Sequence, residues 1–348
     1  MKKYVLPNGV NWYRANMHCH SNISDGSFTP DKIKKEYKAM GYSIVAYTDH
    51  EVLLDHSDLN DDEFLALTSS EYSITEGEPS IEPFEGDKSD PWSLRKTIHM
   101  CVYSKDPHNE FQPAADVGSI AWLQNGLYAK PEKVDGYHRE YTVESINETV
   151  KRLNENGFLV QLNHPNWSLN DMNDYLSIKG LWSLEILNYA TEKLTGAEYC
   201  PYIYDHMVRN GMHNLFCSMG DDNHNTGGSL VQSFGGSTFI GAKELKYDQV
   251  FESMEKGDFY CASGVNPPRF ESIYVEDNVL KIDCTPATDI FVTLYGRKYK
   301  RINGEDLTHA EFRLNKNDNL FRVTVRDRFG NNAHTHYYRV DDFYEEGK

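Results

Sequence analysis

Apolar and polar positions alternate between two periods over the first 264 residues. Short apolar runs of strand length occur at 13–18, 43–48, 64–71, 97–103, 158–162, 184–188 and 215–219. Between them lie stretches with helical spacing. Ile33, Tyr37 and Met40 fall at i, i+4 and i+7, with Thr29 as an N-cap, Pro30 at the first helical position and Gly41 just past the end. Val143, Ile146, Val150 and Leu153 mark a second amphipathic helix, stopped by Gly157. Helices are also expected at 196–210 and 245–256. Polar residues recur where the strand runs end. That alternation predicts an α/β fold, a distorted (β/α)7 TIM-like barrel with its functional residues at the carboxyl ends of the strands.

The pattern changes after Ser263-Gly264. Segments 270–276, 279–284, 290–295, 312–314, 320–326 and 334–340 read as strands, and 321–326 alternates strictly between apolar and polar. Two domains are therefore expected: a barrel over 1–264, and a small antiparallel β-sandwich over 265–348 without chemistry of its own. The one histidine pair in that tail, His334 and His336, has no carboxylate assignable to it. Two segments interrupt the barrel pattern. A polar stretch from 76 to 95 reads as a surface excursion, and 105–142 is irregular and rich in aromatics and charge.

Composition narrows the function classes. The net charge is −18; residues 265–348 carry 13 Lys and Arg against 14 Asp and Glu, a balance of −1, so the first 264 residues hold −17 of it. So acidic a surface disfavours duplex nucleic acid as a partner. A small anionic substrate at a locally positive site is compatible with it. No apolar run reaches membrane-spanning length, and the N-terminus lacks the apolar segment of a secretory signal. The six cysteines, at 19, 101, 200, 217, 261 and 284, form no Cys-x-x-Cys pair and suit buried thiols in a reducing compartment, so a cytoplasmic location is expected.

The candidate chemistry sits at the strand ends: His18, His20, Asp25, His50, Glu71, His99, His164, Asp222 and His224. On a strand, the two-residue spacing of His18 and His20 puts both imidazoles on one face. Gly26 is expected to allow a sharp backbone turn after Asp25. Nine such groups exceed the three or four that one zinc takes. They suffice for two to three divalent transition-metal ions, and imidazole with carboxylate suits Zn, Mn or Fe. His56, His108, His206, His213 and His309 are isolated and read as surface or hydrogen-bonded core residues.

His18-Cys19-His20 with Ser24-Asp25-Gly26, Thr48-Asp49-His50, Glu71, His99, Asn163-His164-Pro165 and Asp222-Asn223-His224 together resemble the PHP (polymerase and histidinol phosphatase) domain over residues 13–264. The resemblance implies a seven-stranded distorted barrel, a trinuclear centre and hydrolysis of small phosphomonoesters or nucleotides by a metal-bridged hydroxide. It further implies one metal on His18, His20, Glu71 and Asp222, a second sharing Glu71 with His99 and His164, and a third on Asp25, His50 and His224. Asp222 rather than Asp221 matches the family's Asp-x-His. The β-rich tail resembles two-domain members, some similar to carbamate-cleaving enzymes. An amide or carbamate hydrolase is thus the first rival reading and a non-catalytic metal-binding module the second.

The 105–142 insert follows the His99 strand, so its root is expected at the metal face. It carries Lys130, Lys133, His138 and Arg139 among Trp122, Tyr128, Tyr137 and Tyr141. Arg139 is the candidate phosphate clamp, since a guanidinium can hold phosphate bidentately. His138 is the candidate catalytic acid for the leaving group.

Overall fold

The computed structural model describes residues 2–82, 84, 90–118 and 131–347. In chain order its elements begin with β1 (Lys3–Tyr4), β2 (Asn11–Asn16), α1 (Pro30–Ala39), β3 (Ile44–Tyr47), β4 (Leu65–Thr75) and β5 (Thr97–Ser104). They continue with α2 (Val143–Glu155), β6 (Phe158–Leu162), α3 (Met172–Ser177), β7 (Ser183–Asn188), α4 (Tyr189–Thr195), α5 (Pro201–Arg209), β8 (Phe216–Gly220), β9 (Gly236–Ala242), α6 (Tyr247–Lys256) and β10 (Phe259–Ser263). The tail is β11 (Phe270–Glu276), β12 (Val279–Leu294), β13 (Tyr299–Arg313), β14 (Leu320–Arg326), β15 (Asn332–His334) and β16 (Tyr338–Arg339).

Local chemistry accounts for the main helices. The Thr29 side chain accepts the Lys32 amide at the start of α1, Pro30 occupies its first turn, and the helix buries Ile33 and Tyr37. Thr142 caps α2 in the same way, and Ile146, Val150 and Leu153 pack into the largest core cluster. Gly41 and Gly157, just past these helices, take positive φ of 76° and 81°.

The seven strand runs become β2 to β8, hydrogen-bonded in chain order. Their directions depart from a parallel barrel. β2–β3–β4 and β6–β7–β8 are parallel sets, but β5 runs antiparallel to both β4 and β6. Among the described residues the strand ladders run in an open order rather than a ring. β2 continues to β9, antiparallel, and β8 meets β9 through the Thr238 hydroxyl, which accepts from Met219 N (3.2 Å) and donates to Met219 O (3.1 Å). Past the strand ends, Asp222 N donates to His18 O (2.8 Å) and His20 N to Asn223 O (3.2 Å). What the structure shows is the expected mixed α/β protein with a large sheet; the distorted (β/α)7 barrel is the finer part of that expectation.

Pairing runs on past residue 264. β10 pairs with β9 on one side and β15 on the other; β15 pairs with β14, β14 with β12, β12 with β11, and β11 with β1. The tail's apolar residues, including Ile282, Val292, Phe321 and Val323, form one buried cluster with Val5, Leu6, Phe239 and Tyr260 of the preceding chain. The predicted runs 279–284 and 290–295 merge into the single long strand β12.

Candidate metal centre

Six elements bring the nine strand-end residues together. His18 and His20 follow β2, with Cys19 between them turned into the core beside α1. His50 follows β3, Glu71 lies within β4, His99 near the start of β5, His164 after β6, and Asp222 and His224 after β8. Because β5 is reversed, its beginning, not its end, lies at this face. This corrects the expectation for the insert. Ser104 pairs with Phe158 at the start of β6, so residues 105–142 leave from the opposite end of the sheet.

Glu71 is the hub. Its Oε1 lies 3.3 Å from His18 Nε2, 3.1 Å from His99 Nδ1 and 3.3 Å from His164 Nε2. Its Oε2 lies 3.4 Å from His20 Nε2 and 3.1 Å from His50 Nδ1. Asp222 Oδ1 stands 2.9 Å from His20 Nε2 and 3.3 Å from His18 Nε2. Asp25 Oδ2 stands 3.3 Å from His224 Nε2 and 3.6 Å from His50 Nε2. Three groups of donors result, each with its atoms within 4.8 Å of one another: His18, His20, Glu71 and Asp222; Glu71, His99 and His164; and His20, Asp25, His50 and His224.

The surroundings favour cations. Burial alone would raise the Glu71 and Asp222 carboxyls, but the histidines around them outweigh it and hold both well below the ordinary range. Burial would lower His18 and His20, yet Asp222 and Glu71 bring both above their ordinary value. His50 shifts the other way, to about 3, because burial dominates there. The field that draws protons to His18 and His20 draws metal ions equally. His18 Nε2 and His20 Nε2 lie 3.2 Å apart, and among the described residues the buried His20 Nδ1, and Asp222 Oδ1 apart from its close approach to the His20 and His18 rings, have no hydrogen-bond partner. Donor set, convergence and unpartnered atoms all fit divalent metal ions.

A further shell of polar residues orients these donors. His18 Nδ1 is 3.1 Å from Glu185 Oε1, and Glu185 Oε2 accepts from His164 N (3.2 Å) and Asn188 Nδ2 (3.0 Å). Asn188 also donates to Asp222 (2.9 Å), Asn163 to Glu71 (2.7 Å), and Ser168 Oγ lies 3.0 Å from His164 Nδ1. Asp49 accepts from the amides and hydroxyls of Ser21 and Ser24, fixing the loop that presents Asp25. Gly26 in that loop has no positive φ; a Cβ there would meet His20 O at 2.4 Å, so the glycine serves close approach rather than an unusual turn. Glu51, His164 and Asp222 carry positive φ, so the backbone is strained beside the cluster.

Asp221 faces away, as its position one residue from Asp222 requires. Its carboxylate accepts the amides of Phe234, Gly235 and Gly236 and the Tyr37 hydroxyl, and burial raises its pKa to about 6.

The insert's candidates separate. Arg139 is buried at the wall of a cavity of about 630 Å³ that opens onto the cluster. Its Nη2 donates to Glu51 Oε2 (2.6 Å), and its guanidinium lies 4.9 Å from the Tyr72 ring centroid. Glu51 had no place in the sequence reading. His138 is a correction: its side chain is 76% exposed, its Nδ1 is 2.9 Å from Asp116 Oδ2, and it does not line the cavity. Lys133 pairs with Glu110, and Trp122, Tyr128 and Lys130 lie outside the described residues. His56, His108, His206, His213 and His309 are all apart from the three groups.

No known family profile matches the chain, and no curated protein matches it. Among solved structures it is similar to a two-domain protein from Bacteroides vulgatus containing a predicted PHP-like metal-dependent phosphoesterase. The identity is 11%, with 97% of each chain covered and a TM-score of 0.46. It is also similar to an amidohydrolase from Chromobacterium violaceum, solved with sulfate and no metal, at 14% identity over 70% of this chain and 96% of that one, with a TM-score of 0.42. TM-scores below 0.5 leave the functional reading to the site itself.

Proposed function

We propose that the chain is a metal-dependent hydrolase of a small phosphate monoester, working at a PHP-type centre of two to three divalent ions such as Zn, Mn or Fe. The observation that carries this reading is Glu71, one buried carboxylate within 3.4 Å of five imidazoles, with all the other strand-end donors gathered around it. When bound, the ions supply positive charge for phosphoryl oxygens and acidify water.

The chain's own residues hold and orient. His18, His20, Glu71 and Asp222 would hold one ion, Glu71 with His99 and His164 a second, and Asp25, His50 and His224, with His20 in reach, a third. Glu185 and Asn188 keep His18 and Asp222 aimed inward. Glu51 fixes the Arg139 guanidinium at the cavity wall, and its Nε and Nη1, buried without a hydrogen-bond partner among the described residues, are donors that a turn of the side chain would bring to a phosphoryl oxygen.

Amide or carbamate hydrolysis is the second reading. It is favoured by the same ion pair, because a clamp partly neutralised by Glu51 is weaker toward a dianion. Rates on matched 4-nitrophenyl phosphate and carbamate esters separate the two. Activity lost to chelator and regained with Mn²⁺ or Zn²⁺ supports the metal hydrolase. Full turnover by a metal-free chain would overturn it.

A further inference from the structure

We infer that this site selects phosphate monoesters whose leaving group is aromatic and bears no second anionic group. The inference rests on the phosphoesterase reading and deepens it.

The cavity wall next to the cluster is aromatic. Trp167 lies 5.4 Å from the His99 ring and 5.1 Å from the His164 ring, and Trp92 lies 6.0 Å beyond it at an interplanar angle of 60°. Both line the cavity, and both stay open to solvent, Trp92 at 51% and Trp167 at 39%. Two neighbouring indoles left exposed beside a charged centre form an apolar surface that a ligand can cover. They are held in place. The buried Glu198 accepts the amides of Asn166 (3.1 Å) and Trp167 (2.7 Å), and Asp90 accepts the Trp92 amide (3.0 Å). β4 and the reversed β5 put the connection carrying Trp92 at the metal face. An aryl group whose phosphate sits at the cluster has these indoles as its nearest apolar partners.

Charge limits what else the leaving group can carry. Outside the nine strand-end residues, the described lining offers one cation, Arg139, against two acids, Glu51 and Asp116. A second phosphate or carboxylate would face that excess of negative charge without a clamp.

Leaving-group chemistry agrees. In the net reaction water adds to phosphorus and the P–O(aryl) bond breaks. The aryl oxygen keeps the electron pair and takes one proton from the water, giving a phenol and inorganic phosphate. An alkoxide needs that proton early from a positioned acid. A phenoxide, with a conjugate acid near pKa ~10, leaves without one. Among the described lining residues no acid is free for that role. His138 lies outside the cavity, Asp25 belongs to a donor group of the metal centre, Glu51 is ion-paired with Arg139, and Asp116 is bound to His138.

The test uses the full chain loaded with Zn²⁺ and inert phosphonates, with binding measured by calorimetry. Phenylphosphonate is expected to bind about tenfold more tightly than methylphosphonate, the scale of one aromatic contact. In Trp167→Leu and Trp92→Leu, at unchanged zinc content, the ratio should fall below about threefold. 4-Carboxyphenylphosphonate should bind more weakly than phenylphosphonate. Equal affinities for phenyl- and methylphosphonate, or a ratio untouched by either substitution, would overturn the aromatic assignment while leaving the phosphoesterase reading in place. Tighter binding of the carboxylated analogue would overturn the charge assignment. Binding of neither phosphonate to the zinc-loaded chain would sink the phosphoesterase reading itself, and this inference with it.

Discussion

At the residue scale, Glu71 and Asp222 carry different expectations from Asp221 and Glu185. Glu71 belongs to two donor groups and sits against five imidazoles, so Glu71→Gln should cost more than one ion per chain, read by elemental analysis. Loss of a single ion, the others staying at full occupancy, would show that Glu71 does not bridge. Asp222→Asn should lose metal with little change in melting temperature. Asp221→Ala should act in reverse, because it strips three buried amides of their acceptor, at about 1–3 kcal/mol for each unsatisfied group. Glu185→Gln should keep the fold and weaken metal binding roughly ten- to a hundredfold, the usual effect of removing a carboxylate behind a ligand histidine; unchanged metal affinity would make Glu185 a packing residue. The nine candidate donors were legible in the sequence because few side-chain types bind transition metals and most of the nine follow an apolar run closely, although Glu71 falls inside β4 and Asp25 in the loop after β2. Glu185, Asn188, Glu51 and Ser168 were not, since a lone acid, amide or hydroxyl in an apolar run has no spacing to mark it. His138 misled for the opposite reason: its sequence neighbour Arg139 is buried, while its own ring reaches solvent and Asp116.

At the element scale, strand positions were legible from apolar runs, and directions were not. The run at 97–103 has the same composition whichever way it points, so a parallel barrel and one reversed strand look alike in sequence. The reversal decides two things. It places the two ends of the 76–95 excursion, after β4 and before β5, rather than the root of the 105–142 insert, at the metal face. It also presents His99 from the beginning of its strand. β9 escaped the sequence reading because Gly236, Ser237, Thr238 and Gly241 dilute its apolar signal. Those glycines answer to close approach: a Cβ at Gly236 would meet Gly220 O at 2.2 Å, and one at Gly220 would meet His18 Cβ at 2.7 Å and Glu185 Oε1 at 2.8 Å. Gly220→Ala should therefore disturb the His18–Glu185 pair and the β8 end together. The expected cost is about 1–3 kcal/mol, typical of overpacking, with reduced metal content. A variant with native melting temperature and full metal would show that β8 and β2 have room to separate.

At the scale of the whole molecule, the tail is tied to the rest of the chain through buried polar contacts. Arg322 of β14 makes a two-pronged ion pair with Asp205 of α5, at 2.8 and 2.9 Å, and also lies 3.1 Å from His334 Nδ1. Arginine can only donate, so His334 accepts at Nδ1, and its Nε2 carries the proton toward the Tyr199 hydroxyl 2.6 Å away. His336 is buried against the rings of Phe216, at 4.8 Å, and Tyr338, at 4.2 Å, with no partner for Nδ1 among the described residues. Burial, joined at His334 by the positive charge of Arg322, holds both histidines neutral: His334 titrates well below the ordinary value and His336 near 3. Below about pH 6.5 the unfolded chain takes up protons at these positions that the native protein refuses. Native stability should therefore fall as pH drops from about 6.5 toward 3, by up to ~1.4 kcal/mol per pH unit for each histidine. The donors of the metal centre titrate too, so a single acid-stability curve cannot be assigned to the tail. The difference between two chains can. His336→Leu removes one such site, replaces an unpartnered nitrogen with an apolar side chain of similar size, and leaves the metal centre untouched. Urea midpoints measured from pH 6.5 to 4 should fall less steeply in His336→Leu than in the native chain, by close to one proton's worth of slope, with the two chains of similar stability at pH 7.5. Parallel curves would mean that His336 already gains its proton in the folded state, and that its aromatic surroundings do not exclude the charge.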